Sequence, residues 1–448
     1  MKKFLRVIRI PAFFLGLIVV LSVVLGPFTV TDTRGYQTFQ GFYENEDTPL
    51  DAVYIGSSAT YAFWQAPFGW EKFGFTVYPL AFPSLSCRSL KYVIEEGRKT
   101  QPDALYILNL NTFKHTENTV AQIHYVVDYM PASANKFAMI RELSGAVGMD
   151  GLDGLEFYLP FIRFHSGWNE LTAERVSMAP EHVLGGVHYA SFLNKITDVS
   201  AGCVSGEDRG ALTQEQERIL EDLLQYCRDE QVNCLFVLVP QPGDTSQELS
   251  QSKALVDAVA QAGYPVLDLS TSLDQLGLDT RYDFYNGDHV NIHGCVKYMD
   301  FLGRYLKENY GFTDKRGDPA YGAWDQALDR YVQIIGPYAL DFEHGDCPRD
   351  YSLARPGLAG VTAEGGAVTL TWTPTEGADG FFVYRRTGAG AWEQVGQTDG
   401  GAGSYLDEGV KAGGQYTYTV VPVRWEGDGP VYGNYDYSGL SVSVEKEN

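Results

Sequence analysis

The stretch LTQEQERILEDLLQYCRDEQVNCLFVLVP, residues 212–240, combines a helix pattern with a strand pattern. Thr213 and Gln216 have the spacing of a capping box, which predicts that a helix begins just after Thr213. One face of that helix carries the apolar residues Ile219, Leu220, Leu223, Leu224 and Cys227. The apolar run at 234–240 follows directly and predicts a buried strand. A helix that leads into a buried strand is typical of a parallel sheet covered by helices.

The same alternation of strands and helices continues on both sides of this stretch. Further strands are predicted at 51–56, 75–82, 105–110 and 266–269. Further helices are predicted at 253–263 and 292–311, each ending in a glycine. The segment 113–210 is irregular and rich in aromatic residues, and we treat it as an insert. The pattern predicts an α/β domain over residues 31–350 with a mostly parallel sheet.

Composition and charge exclude several classes of protein. The 448 residues exceed one ordinary core, so two or three folded units are expected. A formal charge of −23, with no basic cluster beyond the first ten residues, argues against nucleic-acid binding. The six cysteines contain no C-x-x-C pair, and the histidines lack metal-ligand spacing. We therefore expect neither a metal site nor a cofactor.

The composition changes at about residue 357. Helical periodicity stops, and glycines separate short alternating runs such as AVTLTW, GFFVYRR, QYTYTVVPV and GLSVSV. This spacing predicts an antiparallel sandwich. Trp372, Tyr384 and a tyrosine-corner position at Tyr416 resemble a bacterial fibronectin type III domain. We assign residues 357–448 to this all-β unit and expect it to act as a spacer, with ligand binding as the alternative.

The N-terminal residues 1–30 combine four basic residues with an uncharged apolar run at 10–30. A run of this kind reaches the roughly 20 apolar residues of a membrane-spanning helix. Basic residues before the run keep that end in the cytoplasm. A cleaved signal peptide is the alternative, but no Ala-x-Ala cleavage site follows the run. We expect a single-pass cell-membrane protein that contacts the lipid bilayer through this helix and carries its bulk outside the cytoplasm.

Polar residues follow three of the predicted strands, and a histidine lies in a polar turn ahead of the last helix. The four blocks are VYIGSSATY at 53–61, LAFPSLS at 80–86, LYILNLNTF at 105–113 and DFYNGDHVNIHG at 283–294. The carboxyl ends of parallel strands line the crevice in which such sheets bind ligands. In this order, the blocks resemble the SGNH (GDSL-like) hydrolases, especially their membrane-anchored cell-envelope branch. The resemblance implies a flavodoxin-like three-layer sandwich.

The resemblance also implies a role for one residue in each block. Ser58 matches the nucleophile, and His289 matches the general base and acid. The oxyanion donors would be the backbone N–H groups of Ser58 and Ser84 and the side chain of Asn111, with Asn109 as the alternative to Asn111. Ser84 departs from the family, which usually has glycine there, so the local backbone geometry is in question.

The residue that orients the histidine departs from the family as well. Asn286 stands where the family has an aspartate three residues before the histidine. In a well-studied serine protease, the same replacement costs roughly 10⁴ in turnover, largely through the wrong histidine tautomer. Asn286 can still accept a hydrogen bond from the ring, and Asp283 is a further candidate for this role. A non-catalytic reading makes these residues helix caps and turn residues only.

Two further residues complete the predicted site. His165 and Trp168, in the insert, are candidates for substrate binding, with simple packing as the alternative. We expect a serine esterase or O-acyltransferase that removes or transfers acetyl-like O-acyl groups on a cell-envelope or extracellular glycan. Its partners would be an acylated glycan or small acyl ester and a membrane acyl-donor protein. The alternatives are a catalytically degenerate glycan-binding or scaffold protein, and an adhesin acting through residues 357–448.

Overall fold

The computed structural model divides the described chain into an α/β part and an all-β part. Near the N terminus it describes residues 13, 16, 17 and 20. The remaining described residues are 34–116, 119–149, 151, 153–159, 162–163, 197–206, 208–281, 283–335, 353–387, 392–427, 429–433, 435–436 and 439–445. The predicted domain boundaries remain predictions.

Helices and strands alternate through the α/β part. Its helices are α1 (Arg34–Tyr43), α2 (Ser58–Phe63), α3 (Ala66–Phe73), α4 (Leu90–Arg98), α5 (Val120–Val127), α6 (Ala134–Ala146), α7 (Leu155–Tyr158), α8 (Gln214–Asp229), α9 (Ser246–Gln261), α10 (Leu273–Leu276), α11 (Ile292–Tyr310) and α12 (Gly322–Ile335). Its strands are β1 (Ala52–Gly56), β2 (Val77–Ala81), β3 (Leu105–Asn109), β4 (Cys234–Leu238), β5 (Val266–Asp268), β6 (Phe284–Asn286) and β7 (His289–Val290). Short 3₁₀ turns lie at Cys87–Ser89, Leu110–Lys114, Ser200–Gly202 and Pro319–Tyr321.

Strands β1 to β5 form a parallel sheet in the order β2-β1-β3-β4-β5. Every residue of β1 to β4 is buried, as expected for parallel strands covered on both faces. Val53 and Ile55 pack into one core cluster with α4 and α8, whereas Tyr54 packs into the other with α2 and α11. Because successive side chains point to opposite faces, both faces of the sheet are packed.

Strands β6 and β7 form a separate antiparallel hairpin. Phe284 pairs with Val290, and Asn286 pairs with His289 across the tip. Helix α11 begins two residues after β7, so the histidine lies in a tight turn ahead of a helix. Asn291 caps this helix by accepting the backbone N–H of Gly294 at 3.2 Å. His289 thus lies on a short hairpin that is separate from the parallel sheet.

The fold class predicted from the sequence needs correction. The chain is a mixed α/β protein in which a parallel sheet is accompanied by several antiparallel sheets. Among the described residues, no helix has both the length and the apolar character needed to cross a membrane. Even α11, with 19 residues, carries charged side chains along its length. This finding contradicts the predicted membrane-spanning helix and the predicted single-pass membrane localisation; most of the run at 10–30 lies outside the described residues.

The all-β part consists of two antiparallel sheets. Its strands are β8 (Gly357–Glu364), β9 (Ala367–Thr373), β10 (Gly380–Thr387), β11 (Glu393–Asp399), β12 (Ser404–Asp407), β13 (Gln415–Glu426), β14 (Gly429–Tyr432) and β15 (Leu440–Ser443). One sheet has the order β11-β10-β13-β14 with β15 also paired to β13, and the other has the order β12-β9-β8. Trp372, Phe381 and Tyr418 lie in the shared core. The Tyr416 hydroxyl accepts the Lys411 N–H at 2.8 Å, which is the hydrogen bond of a tyrosine corner.

Candidate active site

Ser58 lies where a buried strand turns sharply into a helix. β1 ends at Gly56 and α2 begins at Ser58. A Cβ at Gly56 would lie 2.2 Å from Thr60 Oγ1 and 2.7 Å from Asn109 Cβ, so the tight exit requires glycine. Ser57 is buried and occupies the cap position, but its side chain makes no capping hydrogen bond. Ser58 is half-buried at the carboxyl edge of the sheet, where parallel sheets bind ligands.

The structure brings Ser58, His289 and Asn286 into one chain of hydrogen bonds. His289 Nε2 lies 2.7 Å from Ser58 Oγ, although 231 positions separate the two residues. His289 Nδ1 lies 2.9 Å from Asn286 Oδ1. Tyr285 stacks on the imidazole with ring centroids 5.1 Å apart and planes 22° apart. A serine hydroxyl that faces a histidine whose other nitrogen is held has the geometry of an activated nucleophile.

A backbone group determines which way the Asn286 amide points. Asn286 Oδ1 accepts the backbone N–H of Asp288 at 2.9 Å as well as the contact from His289 Nδ1. A backbone N–H can only donate, so the Asn286 atom that faces it must be the oxygen. His289 Nδ1 must then carry a proton, so in the neutral ring Nε2 is the acceptor that faces Ser58. This is the tautomer that a general base requires.

Asp283, the second candidate for orienting the histidine, is engaged elsewhere. Its Oδ2 lies 2.8 Å from Lys297 Nζ and accepts the backbone N–H of Asp279 at 2.6 Å. Burial raises the pKa of the Asp283 carboxyl above its usual value, while Lys297 acts in the opposite direction. Its backbone carbonyl accepts the N–H of Asn291 at 2.9 Å. Asp283 therefore stabilises the base of the β6–β7 hairpin, and Asn286 is the residue that contacts His289 Nδ1.

Ser84 follows β2 at the same edge of the sheet as Ser58. Gly56 and Ala81 are register partners, so the turns after β1 and β2 are neighbours. Ser84 has a φ of 49°, in the left-handed region that favours glycine. A glycine at this position would adopt the same backbone conformation without strain. In the part of the chain that the structure describes, the N–H groups of Ser58 and Ser84 donate no hydrogen bond. Both N–H groups are available to a ligand oxygen.

The two candidate asparagines differ in how their amides are used. Asn111 Nδ2 donates to Val239 O at 3.1 Å and to Gln241 Oε1 at 2.8 Å, so both of its amide hydrogens are engaged. Its Oδ1 accepts the Val239 N–H at 2.9 Å. Asn109 Nδ2 donates to Thr60 Oγ1 at 3.2 Å and retains a second hydrogen. Asn109 is fully buried beside the start of α2, and one of its two amide hydrogens has no acceptor among the described residues.

Sequence reasoning missed the loop that holds the tip of the β6–β7 hairpin, residues 240–244, which we call the clamp loop. Gln241 Nε2 donates to Asp288 O at 3.0 Å, and Gly243 N–H donates to Gly287 O at 2.8 Å. A Cβ on Gly243 would lie 2.8 Å from the Cα of Gly287, so the two backbones touch directly. The position of the loop after β4, at the same edge as Ser58, is the signal that points to it.

A buried ion pair fixes the clamp loop to the 3₁₀ turn that follows β3. Lys114 donates to Asp244 Oδ1 and to Gln241 Oε1, and both Lys114 and Asp244 are largely buried. Burial raises the pKa of the Asp244 carboxyl, and Lys114 opposes that shift. The Lys114 ammonium group can only donate, so the Gln241 atom that faces it must be Oε1. Nε2 of Gln241 is then the atom that donates to the hairpin.

The remaining predicted site residues do not enter this arrangement. His165 and Trp168 lie outside the described residues, as does most of the segment around them. In the described ranges, no group of three or more histidine, cysteine, aspartate or glutamate side chains is arranged to hold a metal ion. The hydrogen-bonded chain itself therefore consists of Ser58, His289 and Asn286.

Comparison with known proteins finds solved structures that are similar to a part of the chain. No protein-family model matches it, and no curated protein matches it. The fibronectin type III domain of human collagen XX is 22% identical over 22% of this chain and 98% of its own length, with a TM-score of 0.18. A fibronectin type III-like protein of Clostridium thermocellum is 25% identical over 18% of this chain and 88% of its own length, with a TM-score of 0.16.

A third solved structure is matched over a small share of its own length. Pectate lyase PelI of Erwinia chrysanthemi is 22% identical over 20% of this chain, with a TM-score of 0.17. The chain spans only 28% of that lyase's length. With TM-scores of 0.16 to 0.18, these neighbours do not decide the fold of any part of the chain. The resemblance to SGNH hydrolases stays a prediction.

Proposed function

We propose that the α/β part is a serine enzyme that acts on acyl esters. The observation that carries the proposal is the hydrogen-bonded chain from Ser58 Oγ through the two ring nitrogens of His289 to Asn286 Oδ1. Histidines are common in proteins, but this one faces a half-buried serine at a ligand-binding edge and has its tautomer fixed on the far side.

The arrangement supports a two-step acyl transfer. Ser58 Oγ bonds to the ester carbonyl carbon while His289 Nε2 takes the hydroxyl proton. The N–H groups of Ser58 and Ser84, with the remaining amide hydrogen of Asn109, are the donors for the oxyanion. Collapse of the intermediate breaks the ester C–O bond, and His289 returns the proton to the leaving alcohol. Water or a second alcohol then takes the acyl group from Ser58 by the same steps in reverse.

Asn286 is compatible with this chemistry because of the backbone N–H of Asp288. The large penalty of an asparagine in a serine protease comes mainly from the wrong histidine tautomer. Here the amide oxygen faces the histidine, so that part of the penalty does not arise. Asn286 lacks the negative charge that stabilises an imidazolium, and we expect a slow enzyme.

As substrate class we propose O-acyl esters with a small, acetyl-like acyl group. The resemblance of the four sequence blocks to SGNH hydrolases suggests a glycan as the molecule that carries the ester. Hydrolysis and transfer share the acyl-enzyme and differ in whether water or an acceptor alcohol reaches it. The second candidate function is a non-catalytic glycan-binding or scaffold protein, which the absence of a carboxylate at Asn286 favours.

The test is the turnover of p-nitrophenyl acetate by the purified full chain and by Ser58→Ala. We expect a burst of nitrophenol and a steady rate in the wild type, and the loss of both in Ser58→Ala. Ser57→Ala is the matched control, because Ser57 is the adjacent serine and its side chain makes no capping hydrogen bond. A slow steady phase after the burst would indicate that the natural acceptor is missing. Equal rates for wild type and Ser58→Ala would favour the non-catalytic function.

A further inference from the structure

We propose that Asn286 is a modification site at which deamidation produces an aspartate and so activates the site. The inference rests on the proposed function, because an aspartate at this position would supply the missing charge behind His289. Asn286 precedes Gly287, and this is the only Asn-Gly pair in the sequence. Deamidation is easiest before glycine, since no side chain hinders the backbone nitrogen that attacks the amide.

The reaction consumes water and releases ammonia. The backbone nitrogen of Gly287 loses its proton and bonds to Asn286 Cγ, and the Cγ–Nδ2 bond breaks to release ammonia and leave a succinimide ring. Water then opens the ring at one of its two carbonyls. Opening at one carbonyl restores the normal backbone with aspartate at position 286. Opening at the other gives isoaspartate, in which the backbone runs through the β-carbon.

The contacts of the Asn286 amide favour attack at its carbon. Oδ1 accepts the Asp288 N–H and the His289 Nδ1–H, both at 2.9 Å. Negative charge builds on this oxygen when the Gly287 nitrogen adds to Cγ, and two donors already face it. The Gly287 N–H makes no hydrogen bond among the described residues, so no acceptor has to be given up. Asn286 and Gly287 are both half-exposed, so water reaches them.

The two products have opposite consequences. The aspartate product accepts the same two hydrogen bonds and places a negative charge beside the imidazolium that forms during catalysis. A charge-assisted hydrogen bond is about twice as strong as a neutral one, so we expect turnover to rise about tenfold. Isoaspartate lengthens the backbone at the hairpin tip, where Gly287 already touches Gly243. That product displaces His289 from Ser58, and we expect it to be less active than the unmodified protein.

The experiment follows modification and turnover together in the full chain. Wild-type protein is aged at mildly alkaline pH, and its acidic forms are separated by ion exchange. Mass spectrometry with fragmentation that distinguishes aspartate from isoaspartate assigns each form, and p-nitrophenyl acetate turnover is measured for each. We expect the form with aspartate at position 286 to match Asn286→Asp at about tenfold above unaged protein. Asn286→Gln is the matched control, because its longer side chain forms the corresponding ring far more slowly and its turnover should not rise with age.

Two results would overturn the inference. One is that other asparagines gain acid groups while position 286 stays an amide. The other is that aspartate forms at position 286, yet neither this product nor Asn286→Asp exceeds unaged wild type. The mass measurement does not depend on turnover, so the proposed function can fail separately. Equal turnover in wild type and Ser58→Ala, together with conversion at Asn286, would reject the enzyme and retain only the modification.

Discussion

Two clusters of hydrogen-bonded polar side chains, one in each part of the molecule, differ in what they leave available. The Ser58 cluster contains Ser58, Asn286 and His289, and it ends in a half-buried hydroxyl. The Asp407 cluster lies in the all-β part. There Asp407 Oδ2 accepts from Arg385 Nη1 at 2.8 Å and from the Tyr418 hydroxyl at 2.7 Å.

Both oxygens of the Asp407 carboxylate accept hydrogen bonds within the all-β part. Asp407 Oδ1 accepts the Gly409 N–H at 2.8 Å, and Arg385 Nη1 also donates to Gly409 O at 3.1 Å. Every bond joins strands or a strand to its following turn, so the cluster ties the sandwich together. A chain of buried polar groups is therefore no sign of catalysis. What distinguishes the Ser58 cluster is a nucleophile at its open end with undonated N–H groups along the same sheet edge.

The largest effect should come from the histidine. His289→Gln removes the base that takes the Ser58 proton, and we expect p-nitrophenyl acetate turnover to fall about 10³-fold. His115→Gln, another partly buried histidine whose pKa burial lowers, should stay within a few-fold of wild type. If His289→Gln and wild type have similar turnover, the Ser58 cluster, like the Asp407 cluster, contributes only to stability.

The second-largest effect should be on the stability of the all-β part, through the Asp407 cluster. Asp407→Ala leaves Arg385 without its buried partner, and we expect the all-β part to lose about 3 kcal/mol of unfolding free energy. Chemical denaturation measures this loss, and Glu408→Ala is the control because that neighbour is exposed. Turnover should not change in either variant. A drop in turnover in Asp407→Ala would show that the two clusters are not independent.

A smaller effect should follow from loosening the clamp loop. Gln241→Leu loses the donor to Asp288 O, and a shift of the hairpin tip by a fraction of an ångström moves His289 away from Ser58. We expect kcat to fall about 10-fold with KM unchanged, because Gln241 positions the hairpin and does not contact the ester. Gln225→Leu, on the exposed face of α8, is the control. A raised KM with normal kcat would place Gln241 in substrate binding.

The smallest effect should come from the ring that stacks on His289. An aromatic face stabilises a nearby cation by about 0.5–1 kcal/mol at a partly exposed site, so Tyr285→Leu should lower kcat about 2- to 5-fold. Tyr285→Phe keeps the ring and should stay close to wild type. If both variants lose activity equally, the Tyr285 hydroxyl is the important group and the stacking is incidental.

The parts of this molecule that local pattern determines were accessible from the sequence. The capping box of Thr213 and Gln216 is present, and the strand that follows it is buried along its length. Ser58 and His289 could be named as candidate site residues because strand ends and polar turns leave a local signal. Asn111 was harder, since its amide is consumed by Val239 and Gln241, partners that lie about 130 positions away.

Residues whose role depends on distant partners could not be predicted. Gln241 stands in no motif, and only the fold places it against Asp288. Asp283 looked like a partner for His289, but Lys297 on α11 holds its carboxylate. The uncharged run at 10–30 predicted a membrane-spanning helix from its length, and no helix among the described residues is long and apolar enough to be one. Sequence patterns therefore indicated candidate polar residues, but only the fold shows which of them form hydrogen bonds with each other.

The contact between Gly243 and Gly287 has a consequence for mutational tolerance. A Cβ on Gly287 would lie 2.6 Å from the Cα of Gly243, so neither position accepts any other residue without moving the hairpin. In a saturation library selected for ester turnover, both positions should therefore be as intolerant as Ser58. Neither glycine contributes a reacting group. The results of such a library would therefore make both glycines look like active-site residues, although each is needed only because it has no side chain.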